Sequence, residues 1–393
     1  MLIRFNINNI LSFKEAAKLS MIASPHLKKQ YESQLITTTK HLKLVKTAVI
    51  SGENASGKSN LLKAMGFMKQ TVLNSLRDAL LDESDKPFSL EKFALHSSTK
   101  HKPSEFEIQF LQNTIEYRYG FEIDNGKIVA EWLFHIINSK EEELFSRRYQ
   151  QIKVNPLTFK EGLGKEEDVK DNVLFLSLLA TLGKKAAMDI VEWFKKLNLI
   201  TGIHDRQHKK LTIDQFKSDP QFYHWALNFI KYLGIANLSV LRKELGDIDL
   251  ETFLENGHDE QNIEILASIH KDQSCPPILN QLLTFHRKYD ENNVLIDTVA
   301  FKFENQESDG TKRLLYLLGP WYDALQNGKV LFVDEFDARL HSSLILRLID
   351  YFHKYNRSGA QLICTVSNID LLKPLHLRKD QIWIMEKKSI RGF

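Results

Sequence analysis

Two cysteines in 393 residues, Cys275 and Cys364, are too few for a disulfide framework and suit a reducing cytoplasm. Cys364 lies in an apolar run and reads as a core residue. No apolar run approaches the length of about 18 residues that a membrane span needs. The chain opens directly on strand-like alternation (Met1-Leu2-Ile3-Arg4-Phe5), without the charged and apolar regions of a signal peptide. Neither sign of charge dominates: 53 basic against 50 acidic residues leave a net charge of +3. That balance makes no case for a polyanionic partner, although it leaves a local basic patch open. The 14 histidines show no metal-ligand spacing; His26, His96 and His101 are scattered, and no H-E-x-x-H or Cys/His cluster occurs. Internal repeats, low-complexity tracts and sustained heptads are also missing, which excludes a long coiled coil. What remains is the composition of an ordinary soluble globular protein, 43% apolar and 26% charged, with length for roughly two or three domains.

Against that background one stretch stands out. Ala48, Val49 and Ile50 form an apolar run, read as a buried strand, that leads into Gly52-Glu53-Asn54-Ala55-Ser56-Gly57-Lys58-Ser59. Every fixed position of the phosphate-loop pattern G-x-x-x-x-G-K-S/T is matched. A helix pattern follows, with Leu61, Leu62, Met65, Met68, Val72 and Leu76 on one face. Strand, loop and helix in that order are the context the motif requires. The glycines let backbone N–H groups turn inward on phosphates, and the helix start adds its positive dipole end. Residues 52–60, Asn60 included, are therefore the candidate nucleotide cradle. Lys58 would reach the β- and γ-phosphates, and the Ser59 hydroxyl would sit on Mg²⁺.

Along the rest of the chain the periodicity changes twice. Residues 1–22 alternate (Ile3, Phe5, Ile7, later Leu19 and Met21) and predict a hairpin. Residues 104–137 alternate again, with Asp124-Asn125-Gly126 as a hairpin turn, and predict an antiparallel meander. From about 140 the texture turns helical. One stripe is Met188, Ile190, Val191, Phe194 and Leu197; a second is Phe222, Trp225, Ala226, Phe229, Ile230 and Leu233, started by Asp219-Pro220 and stopped by Gly234. A third is Ile278, Leu279, Leu282, Leu283 and Phe285. Strands and helices then alternate to the end, which means a parallel sheet. The expected division is a discontinuous α/β head, residues 1–140 and 290–393, carrying a mainly helical insertion at 141–289. The stretch 204–210, with Lys184-Lys185 and Lys195-Lys196, could form a basic surface on the insertion, although short charge runs are more often solvated helix and loop faces.

Two further motifs carry chemistry. Lys329-Val330-Leu331-Phe332-Val333-Asp334-Glu335 is an apolar strand ending in two carboxylates. Asp334 at the strand's end suits Mg²⁺ on nucleotide phosphates, and Glu335 suits polarising a water for attack on the γ-phosphate. Glu307-Ser308-Asp309-Gly310-Thr311 sits at a helix start, where Ser308 and Gly310 can form an anion site and Ser308 or Asp309 can equally act as a simple cap.

The order of these motifs resembles ATP-binding-cassette ATPases of the chromosome-maintenance and repair branch. In detail it is closer to stand-alone bacterial AAA-type proteins related to the overcoming-lysogenisation-defect family. The supporting residues are the opening with Asn9, Ser12 and Phe13; the loop at 52–59; residues 117–122, 131–133 and 174–177; Glu307 to Thr311; residues 334–341; and Asp380-Gln381-Ile382-Trp383. The resemblance implies a P-loop NTPase of ATP-binding-cassette type, with a parallel core sheet and an antiparallel β lobe. It also implies two copies packed head to tail, with ATP and Mg²⁺ between residues 52–60, Asp334 and Glu335 of one and Ser308 and Gly310 of the other. Asp337 would lie in the loop crossing that interface. Within the resembled group such ATPases serve as sensors or scaffolds of antiviral defence complexes and control a separate effector, often a nuclease or toxin. With the sequence ending at Phe393, the C-terminal nuclease of the lysogenisation-defect relatives is not expected, and a separate partner protein is. The competing classes are a DNA-repair or chromosome-maintenance ATPase, which leaves nucleic acid open as a partner, and a transporter-coupling ATPase, disfavoured by the large insertion. No membrane partner is expected.

Gln109 is the candidate glutamine-loop residue. One position departs from the resembled pattern: the His that contacts the γ-phosphate is replaced by Ser367, followed by Asn368. Neither can carry charge, so hydrolysis is expected to be slow and the ATP state long-lived. Ser367→His should therefore raise steady-state phosphate release at least about tenfold; unchanged turnover contradicts the assignment.

Overall fold

The structure is a computed structural model that describes residues 1–27, 29–38, 42–79, 91–137, 140–201, 206–244 and 278–387. In chain order, β1 (Leu2–Asn8), β2 (Ala17–Ser20), β3 (Leu35–Thr37) and β4 (Lys43–Val45) precede β5 (Thr47–Gly52) and helix α1 (Lys58–Asp78). Next come β6 (Ser104–Gln112), β7 (Ile115–Asp124), β8 (Lys127–Ile137), β9 (Lys140–Arg148) and β10 (Gln151–Val154). Helices α2 (Phe175–Thr181) and α3 (Lys185–Lys195) lead to β11 (Leu197–Ile200), then α4 (Arg206–Ser218) and α5 (Pro220–Ile230). Strands β12 (Ile235–Glu244), β13 (Ile278–Tyr289) and β14 (Leu295–Lys302) precede α6 (Phe303–Gln306) and α7 (Asp309–Asn327). The chain closes with β15 (Val330–Val333), α8 (Ser342–Tyr355), β16 (Gln361–Val366) and β17 (Ile382–Met385).

The described residues separate into two compact units, 1–203 with 323–393, and 204–322. The first holds a parallel sheet in the order β11-β15-β16-β5-β17 and an antiparallel sheet in the order β10-β9-β8-β7-β6-β1-β2. Period-two burial builds the antiparallel sheet: Phe106, Ile108 and Phe110 are buried, while Glu105, Glu107 and Gln109 alternate with them on the wetter face. Its inner face is aromatic. Phe67 of α1 meets Phe106 with ring centroids 5.2 Å apart, and Phe110 stacks on Trp193 of α3 at 4.3 Å. The apolar face expected of α1 is buried through Leu61, Leu62, Met65, Met68 and Val72.

The helical reading of 141–289 needs correction. Strands β9 and β10 extend the meander to 154, and β11 joins the parallel sheet beside β15. The stripe at 278–285 is a strand as well, the middle one of the sheet β12-β13-β14, with Leu282 and Thr284 buried on one face. A short apolar run is ambiguous between periods, and here the sheet decides it. Helix α5 follows its signals: Asp219 Oδ1 accepts the N–H groups of Gln221 (2.8 Å) and Phe222 (3.0 Å), and Gly234 closes the following turn at φ +79°. Of the stretch at 204–210, His204 and Asp205 lie outside the described residues, as does Cys275. Among the described residues no helix is long and apolar enough to cross a membrane.

One buried polar cluster ties the antiparallel sheet to the helices. Glu131, fully buried on β8, accepts the N–H groups of Phe175 (2.7 Å) and Leu176 (3.0 Å) at the start of α2, and the Tyr119 hydroxyl (3.0 Å). The Arg147 guanidinium lies 3.7 Å away and donates to the carbonyls of Tyr149, Lys170 and Val173. Burial raises the Glu131 carboxyl's pKa, although Arg147 and the donated hydrogen bonds oppose the shift. The short motifs at 117–122, 131–133 and 174–177 thus meet at one carboxylate.

A second buried group reports on the parallel sheet. His353 of α8 pairs its Nε2 with the Thr47 hydroxyl at 2.8 Å, and Lys46 Nζ donates to its backbone carbonyl at 2.9 Å. Burial, and secondarily Lys46, lowers its pKa from 6.5 to about 4. The unfolded chain then binds this proton before the native one does, so stability is complete above the unfolded value and falls as pH drops from 6.5 toward 4. The loss attributable to His353 at pH 5 is about 2 kcal/mol. Urea unfolding at pH 7 and pH 5 should show that loss in the wild type and a shallower slope in His353→Gln; equal slopes contradict it.

Candidate functional site

Parallel strands deliver their C-terminal ends to one sheet edge, and the candidate site is built there. In register, Val333 of β15 pairs with Cys364 of β16, and Cys364 with Val49 of β5. The residues just beyond, Asp334, Val366 and Gly52, are therefore brought out at the same edge.

The loop between β5 and α1 turns on two left-handed residues, Ala55 at φ +61° and Gly57 at φ +103°. Gly57 is also sterically required, because a Cβ there would lie 2.6 Å from Ser12 Oγ. That hydroxyl accepts Asn60 Nδ2 at 3.0 Å, so the loop after β1 is fastened to the first turn of α1. A Cβ on Gly52 would lie 2.3 Å from the Met385 carbonyl of β17. Lys58 Nζ folds back across the loop and donates to the carbonyls of Gly52 (2.6 Å) and Glu53 (2.9 Å). No side chain caps α1, whose cap residue is Gly57, and the first N–H groups of a helix have no intrahelical partner. Among the described residues Ser56 Oγ has no hydrogen-bond partner and is buried. Asn54 is exposed, and Ser59 is half-buried in the first turn. An uncapped helix start, a retracted lysine and an orphan hydroxyl fit a phosphate chain.

Past the end of β15, two strands from β5, the backbone of Asp334 donates to Ile200 of β11 at 2.8 Å. Its carboxylate Oδ1 accepts the Thr365 hydroxyl at 2.6 Å and the Glu335 N–H at 3.1 Å. Thr365 Oγ1 in turn accepts that same N–H at 2.7 Å. Asp334 is 8% exposed, whereas the Glu335 side chain is exposed. The strand ends at Val333, and Glu335 takes φ +47°, an uncommon conformation for a residue with a Cβ. The two carboxylates thus diverge because the chain turns, and not by strand alternation. Thr365 was not among the expected site residues; its signal in the sequence is only a hydroxyl inside the apolar run of β16.

Asp337 Oδ2 accepts the N–H groups of Ser367 (2.8 Å) and Asn368 (3.1 Å), just beyond β16. The loop after Asp334-Glu335 and the position of the missing histidine are therefore joined within one chain. His341 caps α8 through its Nδ1. Ser308 and Gly310 belong to the other compact unit. There Ser308 Oγ accepts the Thr311 N–H at 3.2 Å and its carbonyl accepts the Lys312 N–H at 3.0 Å, so it caps α7 while remaining exposed. Gln109 lies within β6, bonded to Arg4 and Glu116 across the antiparallel sheet. Among the described residues no group of three or more His, Cys, Asp or Glu gathers as a metal site.

A phosphate loop and an acidic strand end on one edge of a parallel sheet define a P-loop ATPase fold. Residues 48–365 match the family described as "AAA domain, putative AbiEii toxin, Type IV TA system", and the chain belongs to that family. It is a nucleotide-binding ATPase domain. No curated protein matches the chain. Among solved structures it is similar to an SMC head bound to the C-winged helix domain of ScpA, at 12% identity over 95% of this chain and 91% of that one, TM-score 0.42. It is likewise similar to the SMC head domain from Thermotoga maritima, at 12% identity with the same coverages, TM-score 0.38.

Thr365→Val should leave a buried carboxylate oxygen short of a donor and cost about 1–3 kcal/mol. It should also weaken Mg²⁺-dependent binding of a non-hydrolysable ATP analogue, while Thr365→Ser preserves both. Urea unfolding and fluorescence titration measure these, and a valine variant equal to the serine variant contradicts the role given to this hydroxyl.

Proposed function

We propose that the chain hydrolyses Mg-ATP at a site completed by a second copy, and that it acts as the sensor or scaffold subunit of a bacterial antiviral defence complex controlling a separate effector. What supports the first part is the division of the motifs: Lys58, Ser59, Asp334 and Glu335 share one sheet edge, while Ser308 and Gly310 start a helix in the other compact unit, with Ser308 exposed. In this reading Lys58 exchanges its two loop carbonyls for β- and γ-phosphate oxygens, and the N–H groups from Ala55 to Asn60 hold the remaining oxygens. Ser59 and Asp334 would hold Mg²⁺, which when bound neutralises charge on the phosphates. Glu335, exposed and turned out of the strand, accepts a proton from the attacking water as the bond between the γ-phosphorus and the bridging oxygen breaks. ADP and phosphate leave. The helix start at Ser308 and Gly310 of the second copy presents N–H groups to the γ-phosphate from the opposite side. Asp337 links the crossing loop to Ser367, so occupancy of the site reaches the interface. Ser367 can donate a hydrogen bond but no charge, which supports slow turnover and a persistent ATP state.

The family's description names a type IV toxin–antitoxin system, and that supports a defensive setting with a separate partner. The resemblance to lysogenisation-defect relatives supports the same setting. Glu335→Gln should trap the ATP state. Its mass by light scattering should rise with Mg-ATP, and Ser308→Arg should abolish the rise. A mass unaffected by nucleotide contradicts assembly through the site, and turnover stimulated by DNA would favour a DNA-repair ATPase instead.

A further inference from the structure

We infer that Glu307 is the positioning residue that sets the Ser308–Gly310 turn, and that it does so through Thr284 and His286 of β13. This rests on the reading of Ser308 and Gly310 as the half of the site contributed by the second copy. Ser308 and Asp309 are exposed, and the hydroxyl and carbonyl of Ser308 bond three and four residues forward, into α7.

Glu307, immediately before Ser308, has a side chain only 8% exposed. Its Oε1 accepts the Thr284 hydroxyl at 2.5 Å and pairs with His286 Nε2 at 2.6 Å. Thr284 and His286 are two residues apart, so they share one face of β13 and close on the carboxylate together. The His286 ring is held in turn against Phe301 of β14, with centroids 4.5 Å apart. On the backbone side, Glu307 N–H donates to the Phe303 carbonyl at 3.2 Å, ending α6. Phe303 is fully buried and meets Tyr316 of α7 edge-on at 5.6 Å. Glu307 is therefore pinned at both its backbone and its side chain. The turn that follows inherits its direction from a strand of the β12-β13-β14 sheet and not from α7 alone.

A capping serine tolerates small rotations of the turn, because its bond to Thr311 moves with it. A γ-phosphate held by the second copy does not, since misplacement by about 1 Å can cost on the order of a hundredfold in rate. Loss of the Glu307 acceptor should therefore spare the fold and the phosphate loop but impair the composite site. The expected signature is a fall in kcat with nucleotide affinity preserved.

The test compares Glu307→Leu, which removes the acceptor, with Glu307→Gln, which keeps an oxygen for both donors. Each full-length variant is titrated with a fluorescent ATP analogue and assayed for phosphate release and ATP-dependent mass. Glu307→Leu should lose about tenfold or more in kcat and its ATP-dependent mass, with analogue affinity within about twofold of wild type, and Glu307→Gln should stay near wild type. Should Glu307→Leu not fold, Thr284→Val is read by the same criteria against Thr284→Ser. Wild-type kcat in the acceptor-less variant, or equal loss in Leu and Gln variants, overturns the inference. Ser308→Arg, run in parallel, separates the two levels: if it too leaves turnover unchanged, the composite-site reading falls, and if it alone abolishes turnover, only the role of Glu307 does.

Discussion

The site depends on the register of three parallel strands. A phosphate loop and the Asp334 carboxylate, the candidate metal ligand, come from residues almost three hundred positions apart in sequence, and the pairing of β5 with β16, and β16 with β15, sets them level. Thr365 is where that register becomes chemistry. Its hydroxyl joins the Asp334 carboxylate to the Glu335 N–H, while its carbonyl accepts the Phe336 N–H at 2.9 Å. Phe336 is buried, so the chain leaves the strand with one side chain anchored inward and the Glu335 carboxylate turned outward. A slip of one residue in β16 would present the opposite face and undo the arrangement.

The antiparallel sheet obeys a different constraint. A buried carboxylate is costly unless its lone pairs are satisfied, and Glu131 satisfies its own with a hydroxyl and the open end of α2. This accounts for three short motifs, at 117–122, 131–133 and 174–177, whose purpose the sequence does not reveal. They are parts of one tertiary contact. They hold α2 in place, and through Leu174 N–H to Ser75 Oγ and the Ser177 hydroxyl to the Val72 carbonyl they also fasten it to α1.

What was legible in the sequence was whatever local geometry encodes. The loop at 52–59 announces itself because its glycines answer to local sterics, and Asp219-Pro220 and Gly234 mark helix α5 for the same reason. The strands β9 and β10 escaped notice because few of their residues are apolar: Lys140-Glu141-Glu142-Glu143 opens β9, and only Leu144, Phe145 and Arg147 of that strand are buried. At 278–285 the apolar spacing suits a helix, yet the buried partner of Leu282 is Thr284, a polar residue no pattern would count. Thr365, and the part Glu307 plays within its motif, are likewise invisible in sequence, since each acts through partners far along the chain.

The central claim is that the two halves of the site come from different copies, and mixing two inactive proteins tests it most directly. Lys58→Ala lacks the phosphate-loop half and Ser308→Arg the other half. Phosphate release from each alone and from an equimolar mixture is the measurement. The account predicts two silent proteins and an active mixture, because a mixed head-to-tail pair keeps one site with both halves intact. A mixture as silent as its components, under conditions where the two proteins exchange subunits, would contradict it.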